Sequence, residues 1–175
     1  MEKELRARLG NYIYAVDDAP MEEIVGRALK DQQLTIACAE SCTGGLLTSR
    51  LTDVAGSSAY VMGSVVSYTN EVKADVISVD RQVLAAKGAV SEEVARQMAE
   101  GVRARIHTDI GVGITGIAGP DGGTAKKPTG LVYIAVSGSR GTECTRNVFI
   151  GKRKEVKFRA TQKALDMVRQ YLLTL

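Results

Sequence analysis

Short apolar runs that alternate with helical periodicity, followed by a late strand–turn–strand pattern, predict an α/β fold with one mixed β-sheet flanked by helices. Three observations carry this. Val-, Ile- and Ala-rich runs recur at 34–39, 60–68 and 109–115. Between them, apolar residues return at helical spacing. Near the end, Ser137-Gly-Ser-Arg-Gly141 separates two further apolar runs, which is a hairpin signal.

The elements follow in order. Residues 1–20 read as an N-terminal extension or helix. Pro20 opens a helix to Lys30 with Ile24, Val25, Ala28 and Leu29 on one stripe. Leu34–Ala39 is a strand of alternating larger and smaller side chains. Gly44–Val54 returns as a helix that Ala55-Gly-Ser-Ser ends. Tyr60–Tyr68 is the second strand, and Asn70 is positioned to cap a helix over 71–77. Asp80 caps another helix to Lys87. Ser91, with Glu92 and Glu93 in the first turn, starts a helix whose core face is Val94, Met98, Val102 and Ile106. Asp109–Thr115 is the third strand, 117–129 a glycine-rich loop, and Leu131–Val136 and Thr142–Ile150 the hairpin. Lys152–Leu173 is a final helix that buries Val156, Ala160, Ala164, Met167, Val168, Tyr171 and Leu172. No repeat or linker interrupts this order, so one domain spans 1–175.

Composition bounds the function. The chain has 175 residues, enough for one sizeable core. Aromatics are 5% with no Trp, a poor basis for a nucleic-acid stacking platform, and the net charge is a mild +3. The N-terminus lacks the apolar stretch of a signal peptide, and the apolar run at 131–136 is too short to cross a bilayer. Three cysteines (Cys38, Cys42, Cys144) without C-x-x-C spacing, beside a single histidine, are poor material for zinc and suit reduced thiols in a cytoplasmic protein.

The bend at Ala39-Glu-Ser-Cys-Thr-Gly-Gly45 is the most informative feature. A residue between a strand and a helix N-terminus is exposed beside free amides and a partial positive charge, which suits a nucleophile and a developing oxyanion. Ser41 is the candidate, although Ser is also a good helix cap. Thr43 can take the capping, leaving Ser41 free. Cys42 competes as nucleophile, but its side chain is expected to point into packing. His107 lies at a helix end and reads as structural, so a serine–histidine pairing is not expected. Lysines remain as bases. Lys73 falls in the first turn of a helix, where the dipole lowers its pKa, although from spacing alone a solvated surface lysine is the better reading. Gly111-Val-Gly-Ile-Thr-Gly116 spells G-x-G-x-x-G, but no helix follows, so the dinucleotide reading fails. The loop Gly116–Thr124 is open to two readings, a long turn or a close backbone approach to a ligand.

Five ordered blocks carry a resemblance: Ala39–Gly45, Gly56-Ser-Ser58, Tyr68-Thr-Asn-Glu-Val-Lys73, Gly88-Ala-Val-Ser91 and Gly116-Ile-Ala-Gly-Pro-Asp-Gly-Gly123. From about Met21 onward the chain closely resembles the C-terminal domain of the CinA (competence/damage-inducible) family, in what looks like its stand-alone form. The molybdopterin-binding-like N-terminal domain of longer members has no room here. Ser64 stands where a glycine is frequent in that family and Val72 where an alanine is. The resemblance implies a nicotinamide mononucleotide amidase that yields nicotinate mononucleotide and ammonia in pyridine-nucleotide salvage, without metal or cofactor. Carried over by position, it makes Ser41 the nucleophile, Lys73 the general base and Tyr68 an orienting or proton-relaying residue. Tyr68 and Thr115 match residues lining the same pocket, and Arg153 matches a basic residue near the active site. Thr43, Gly44, Gly45, Asn70, Gly116 and Arg153 are expected to bind substrate, with the amides around Thr43 and Gly44 holding the oxyanion. A cytoplasmic homo-oligomer, a dimer or larger, is expected, with no membrane contact and no direct nucleic-acid binding. The alternatives are a non-catalytic nucleotide-binding or interaction module and an amidase for another small amide.

Overall fold

A computed structural model describes residues 2–175. Its element order is α1 (Glu2–Leu9), α2 (Met21–Asp31), β1 (Ile36–Glu40), α3 (Leu46–Thr52), β2 (Val61–Val66), α4 (Asn70–Ile77), α5 (Arg81–Lys87), α6 (Glu92–Ile106), β3 (Ile110–Gly116), β4 (Leu131–Gly138), β5 (Gly141–Val148) and α7 (Arg153–Leu172). From α2 onward this is the order the periodicity predicts. Single 3₁₀ turns follow α1 and precede β2.

The sheet runs β2-β1-β3-β4-β5. The first three strands are parallel, and β4 and β5 are antiparallel additions. β1 is an interior strand, buried along its whole length, which explains its nearly unbroken apolar run. Its side chains alternate by size, and the sizes sort the helices. Ile36 and Cys38 join Val112, Ile114 and the apolar face of α7 in the larger core, with Val25, Leu29, Leu47 and Leu51. Ala37 and Ala39 face the other way, toward Met98 and Val102 of α6 and Ile77 of α4.

The same rule explains the G-x-G-x-x-G run, all of which lies within β3. A Cβ on Gly111 would overlap the carbonyl of Ala99, and one on Gly113 would sit 2.6 Å from the Ala99 nitrogen. These glycines let α6 press onto the sheet; they cradle no phosphate. Strand ends shift by a residue or two from the sequence reading. Thr35 is held outside the ladder, where its amide and hydroxyl donate to Asp109 Oδ2 at 2.8 and 2.7 Å. β1 gains Glu40 at its other end, in register with Ile114 of β3.

Parallel strands give the site its place. β1, β2 and β3 end on one edge, and β2 and β3 leave on opposite sides of β1, so the chain reverses its strand order there. Such a switch point opens a crevice outside the carboxyl ends of the strands.

Replacing Gly113 by Ala is expected to lower stability by about 1–3 kcal/mol through overpacking against α6. Urea denaturation reads this as a lower midpoint at unchanged m. An unshifted midpoint would show that the helix can retreat without loss.

Candidate active site

The bend after β1 is fastened by a residue that sequence reasoning passed over. Glu40 is fully buried, and its carboxylate turns forward over the following helix. Oε2 accepts from the amides of Gly45 and Leu47 at 3.0 Å each. Oε1 accepts from the Thr48 amide at 2.8 Å and the Thr48 hydroxyl at 2.9 Å. Glu40 therefore caps α3, not Thr43. Thr43 Oγ1 is buried without a hydrogen-bond partner among the described residues. Gly44 and Gly45 have φ of +63° and +92°, so the bend needs glycine at both positions.

Ser41 is held by its own backbone. Its amide donates to the Ile114 carbonyl of β3 at 2.9 Å, and its carbonyl accepts from Gly44 at 3.1 Å. This corrects the expected oxyanion donors. The Gly44 amide is engaged inside the bend and the Gly45 amide by Glu40. The amides of Cys42 and Thr43 are the ones left without a protein acceptor among the described residues.

Lys73 comes to Ser41 from α4. Thr69, not Asn70, caps that helix, with its hydroxyl accepting from the Val72 amide at 3.3 Å. Asn70 is exposed as the first helical residue and does not line the cleft. Lys73 is only 1% exposed. Its Nζ lies 3.2 Å from Ser41 Oγ and donates to the Ser67 carbonyl at 2.7 Å, with the Tyr68 carbonyl at 3.5 Å. No carboxylate pairs with it among the described residues. Burial holds its pKa below the ordinary 10.5, and only a charge on Cys42 would work against this. The surface-lysine reading is thereby excluded. A neutral amine has two N–H groups for the two carbonyls and a lone pair for the Ser41 hydroxyl.

Cys42 is 6% exposed, and burial pushes its thiol up to about 12, with the Glu40 charge adding to the rise. At neutral pH it is a thiol, a poor nucleophile. His107 ends α6 with φ +59°, before β3 begins. Seven strand residues separate it from the site, roughly 20 Å.

A cleft of about 270 Å³ opens over this pair. Ser41, Cys42, Lys73, Tyr68, Ala89, Val90, Thr115–Gly119 and Asp121 line it. Arg153, from the start of α7, closes it. Thr115 Oγ1 donates to the Ala89 carbonyl at 2.7 Å. The Tyr68 phenol does not reach Lys73; it accepts from Arg153 at 3.2 Å, while the other guanidinium arm donates to the Gly119 carbonyl at 2.9 Å. A direct relay through the phenol to the lysine is therefore not built here. Lys127 ties the glycine-rich loop down by donating to the Lys87 and Val90 carbonyls at 2.7 Å each. The structure thus gathers Ser41, Lys73, Tyr68, Thr115, Gly116 and Arg153 around one cleft and leaves Thr43, Gly44, Gly45 and Asn70 out of its lining.

Two predictions follow from the geometry. Glu40→Gln puts amide hydrogens where three N–H donors converge, and is expected to cost about 3 kcal/mol of stability by urea denaturation. For Lys73, the unfolded amine titrates near its ordinary value and the folded one lower. Between the two values the unfolded chain binds more protons, so stability rises with pH across that window. Lys73→Met removes this slope. Its melting temperature relative to wild type is therefore expected to be highest at low pH and to fall as pH approaches 10.5. A pH-independent difference would contradict a depressed lysine.

The CinA C-terminal domain model matches residues 18–172. A CinA-like protein of Sulfurihydrogenibium is 47% identical over 173 residues, covering 99% of this chain and 43% of that protein. A CinA-like protein of Gemmatimonas aurantiaca is 49% identical over 166 residues, 95% of this chain and 39% of that one. The chain thus spans about two fifths of the length of the curated relatives it matches. Among solved structures, the competence/damage inducible protein CihA of Agrobacterium tumefaciens aligns with a TM-score of 0.81 at 37% identity, over 89% of this chain and 98% of that one. A CinA superfamily protein of Klebsiella pneumoniae aligns with a TM-score of 0.85 at 32% identity, over 90% and 100%. With the family model matching residues 18–172 and relatives nearly half identical along almost the whole chain, this chain belongs to the CinA family, through its C-terminal domain.

Proposed function

We propose that this chain is an amidohydrolase that converts nicotinamide mononucleotide to nicotinate mononucleotide and ammonia through a serine–lysine dyad. The observation that carries the reading is the buried, carboxylate-free Lys73 amine 3.2 Å from Ser41 Oγ at the floor of a cleft. A lysine with a depressed pKa is an effective base near neutral pH. The choice of nicotinamide mononucleotide rests on the resemblance of the five sequence blocks; the dyad itself suits any small carboxamide.

In this mechanism neutral Lys73 accepts the Ser41 proton as Oγ attacks the carboxamide carbon. The amide of Cys42, which lines the cleft, receives the oxyanion, worth about 3 kcal/mol when such a donor is lost. The resulting ammonium returns its proton to the leaving nitrogen, and ammonia departs. Lys73, neutral again, then activates the water that cleaves the ester of Ser41. Arg153 and the loop at 116–121 bind the distal part of the substrate.

The test is ammonia release from nicotinamide mononucleotide, with free nicotinamide as control. Turnover of the nucleotide is expected, with kcat/KM rising with pH through the lowered lysine pKa. Ser41→Ala is expected to lose about 10⁴-fold or more in kcat. Cys42→Ala, which retains the backbone amide, still turns over. No ammonia from the nucleotide, or full activity without the serine hydroxyl, removes the reading.

A further inference from the structure

Part of the cleft lining comes from two stretches far apart in the chain. Ala89 and Val90 follow α5, while Gly116–Gly119 and Asp121 belong to the glycine-rich loop. Lys127, further along that loop, joins the two. It does not line the cleft; it lines a separate cavity that shares only Val90 with it. Its Nζ donates to the carbonyl of Lys87, the last residue of α5, and to that of Val90, both at 2.7 Å. A cation there meets the negative end of the helix dipole and a carbonyl without an intrahelical partner. Gly88 makes room for it, since φ is +76° and a Cβ would lie 3.3 Å from Lys127 Nζ. Glu93, whose carboxylate feels the Lys127 charge, is bound by Lys87 at 2.8 Å, so Lys127 holds backbone and not a side chain.

The root of Lys127 is fixed as well as its tip. Its amide donates to Thr124 Oγ1 at 3.0 Å, and its carbonyl accepts from the Thr124 amide at 2.8 Å. The neck of the loop is closed by the Gly130 amide donating to the Ile117 carbonyl at 2.7 Å. Ser41 and Lys73 take no contact from Lys127: the serine is held by β3 and the bend, the lysine by the Ser67 and Tyr68 carbonyls.

We propose that Lys127 is a positioning residue that sets the spacing between the 89–90 and 116–121 parts of the cleft, and with it how tightly substrate is held between them. The effect on substrate rests on the amidase reading, whereas the clamp itself does not. Because the serine and lysine are assembled without Lys127, its loss weakens binding and leaves the chemical step in place. A loop that is already fastened need not be ordered when substrate enters, and that ordering cost falls on binding once the clamp is gone.

The test compares wild type with Lys127→Met and, as a control for charge, Lys126→Met at the exposed neighbouring position. For Lys127→Met, KM for nicotinamide mononucleotide is expected to rise about tenfold with kcat within about twofold, and Lys126→Met to match wild type. Loss of folded protein alone would lower kcat and leave KM where it was. An unchanged KM, or the same rise in Lys126→Met, overturns the proposal. Hydrogen exchange read by mass spectrometry separates this from failure of the amidase reading, because it needs no turnover. Peptides covering 84–91 and 117–130 are expected to exchange faster in Lys127→Met than in wild type, with 36–47 unchanged. Equal exchange in the two proteins removes the clamp, whether or not ammonia is released.

Discussion

A single buried carboxylate accepts four hydrogen bonds at the start of α3, and the position of Ser41 follows from it. Glu40 ends β1, an interior strand, so its backbone is fixed by the sheet on both sides. Its side chain then meets three helix amides and the Thr48 hydroxyl, where both the N–H groups and the helix dipole favour a negative charge. Strand and helix are thereby joined across a five-residue bend that contains two left-handed glycines. Ser41 has its amide on β3 and its carbonyl on Gly44, so its Cα has little freedom. The carboxylate also occupies the helix end that would otherwise attract an anionic substrate. What remains for an oxyanion are the amides of the bend itself, which precede the helix.

Opposite this rigid serine, one physical fact gives Lys73 its chemical use and its stability cost. Its amine is removed from water with only carbonyls and a hydroxyl around it, which disfavours the charged form. A group that bears an unfavourable environment in the fold is a functional candidate because natural cores seldom tolerate one without a reason. The Ser67 hydroxyl, buried without a partner among the described residues beside the same carbonyl, is a second polar group that the core accommodates there.

The element order was legible because it depends on periodicity along the chain. Alternation in 36–39 even foreshadowed which helix packs on which face of the sheet, since small residues meet α6 and larger ones meet α7. What the sequence hid are contacts made through space. Glu40 caps from five to eight residues upstream, outside the spacing of local helix caps, so Thr43 looked like the better choice. Thr69 and Asn70 are both good caps, and only the backbone angles distinguish them. Lys73 read as surface because nothing nearby in sequence reveals that β2 and α4 fold its stem under the bend. The resemblance makes Tyr68 an orienting or relaying partner of the lysine, but its phenol meets an arginine 85 residues away.

The two ends of the cleft also explain why a lysine sits at one and an arginine at the other. A general base must lose its charge at working pH, and an ammonium in a dry pocket does so readily, whereas a guanidinium does not. Holding a substrate anion requires the opposite property, a charge that survives contact with protein and ligand alike. Under the proposed amidase reading, Arg153 would meet that need with a planar fork already aligned by Gly119 and the Tyr68 phenol. Those same contacts aim its charge at the loop and the phenol, so Tyr68 offers its carbonyl to Lys73 and its phenolic oxygen to Arg153. Exchanging the two residue types would leave a permanent charge beside Ser41 and an adaptable one where constancy is needed. The asymmetry of the cleft therefore lies in the chemistry of the two cations as much as in where the fold puts them.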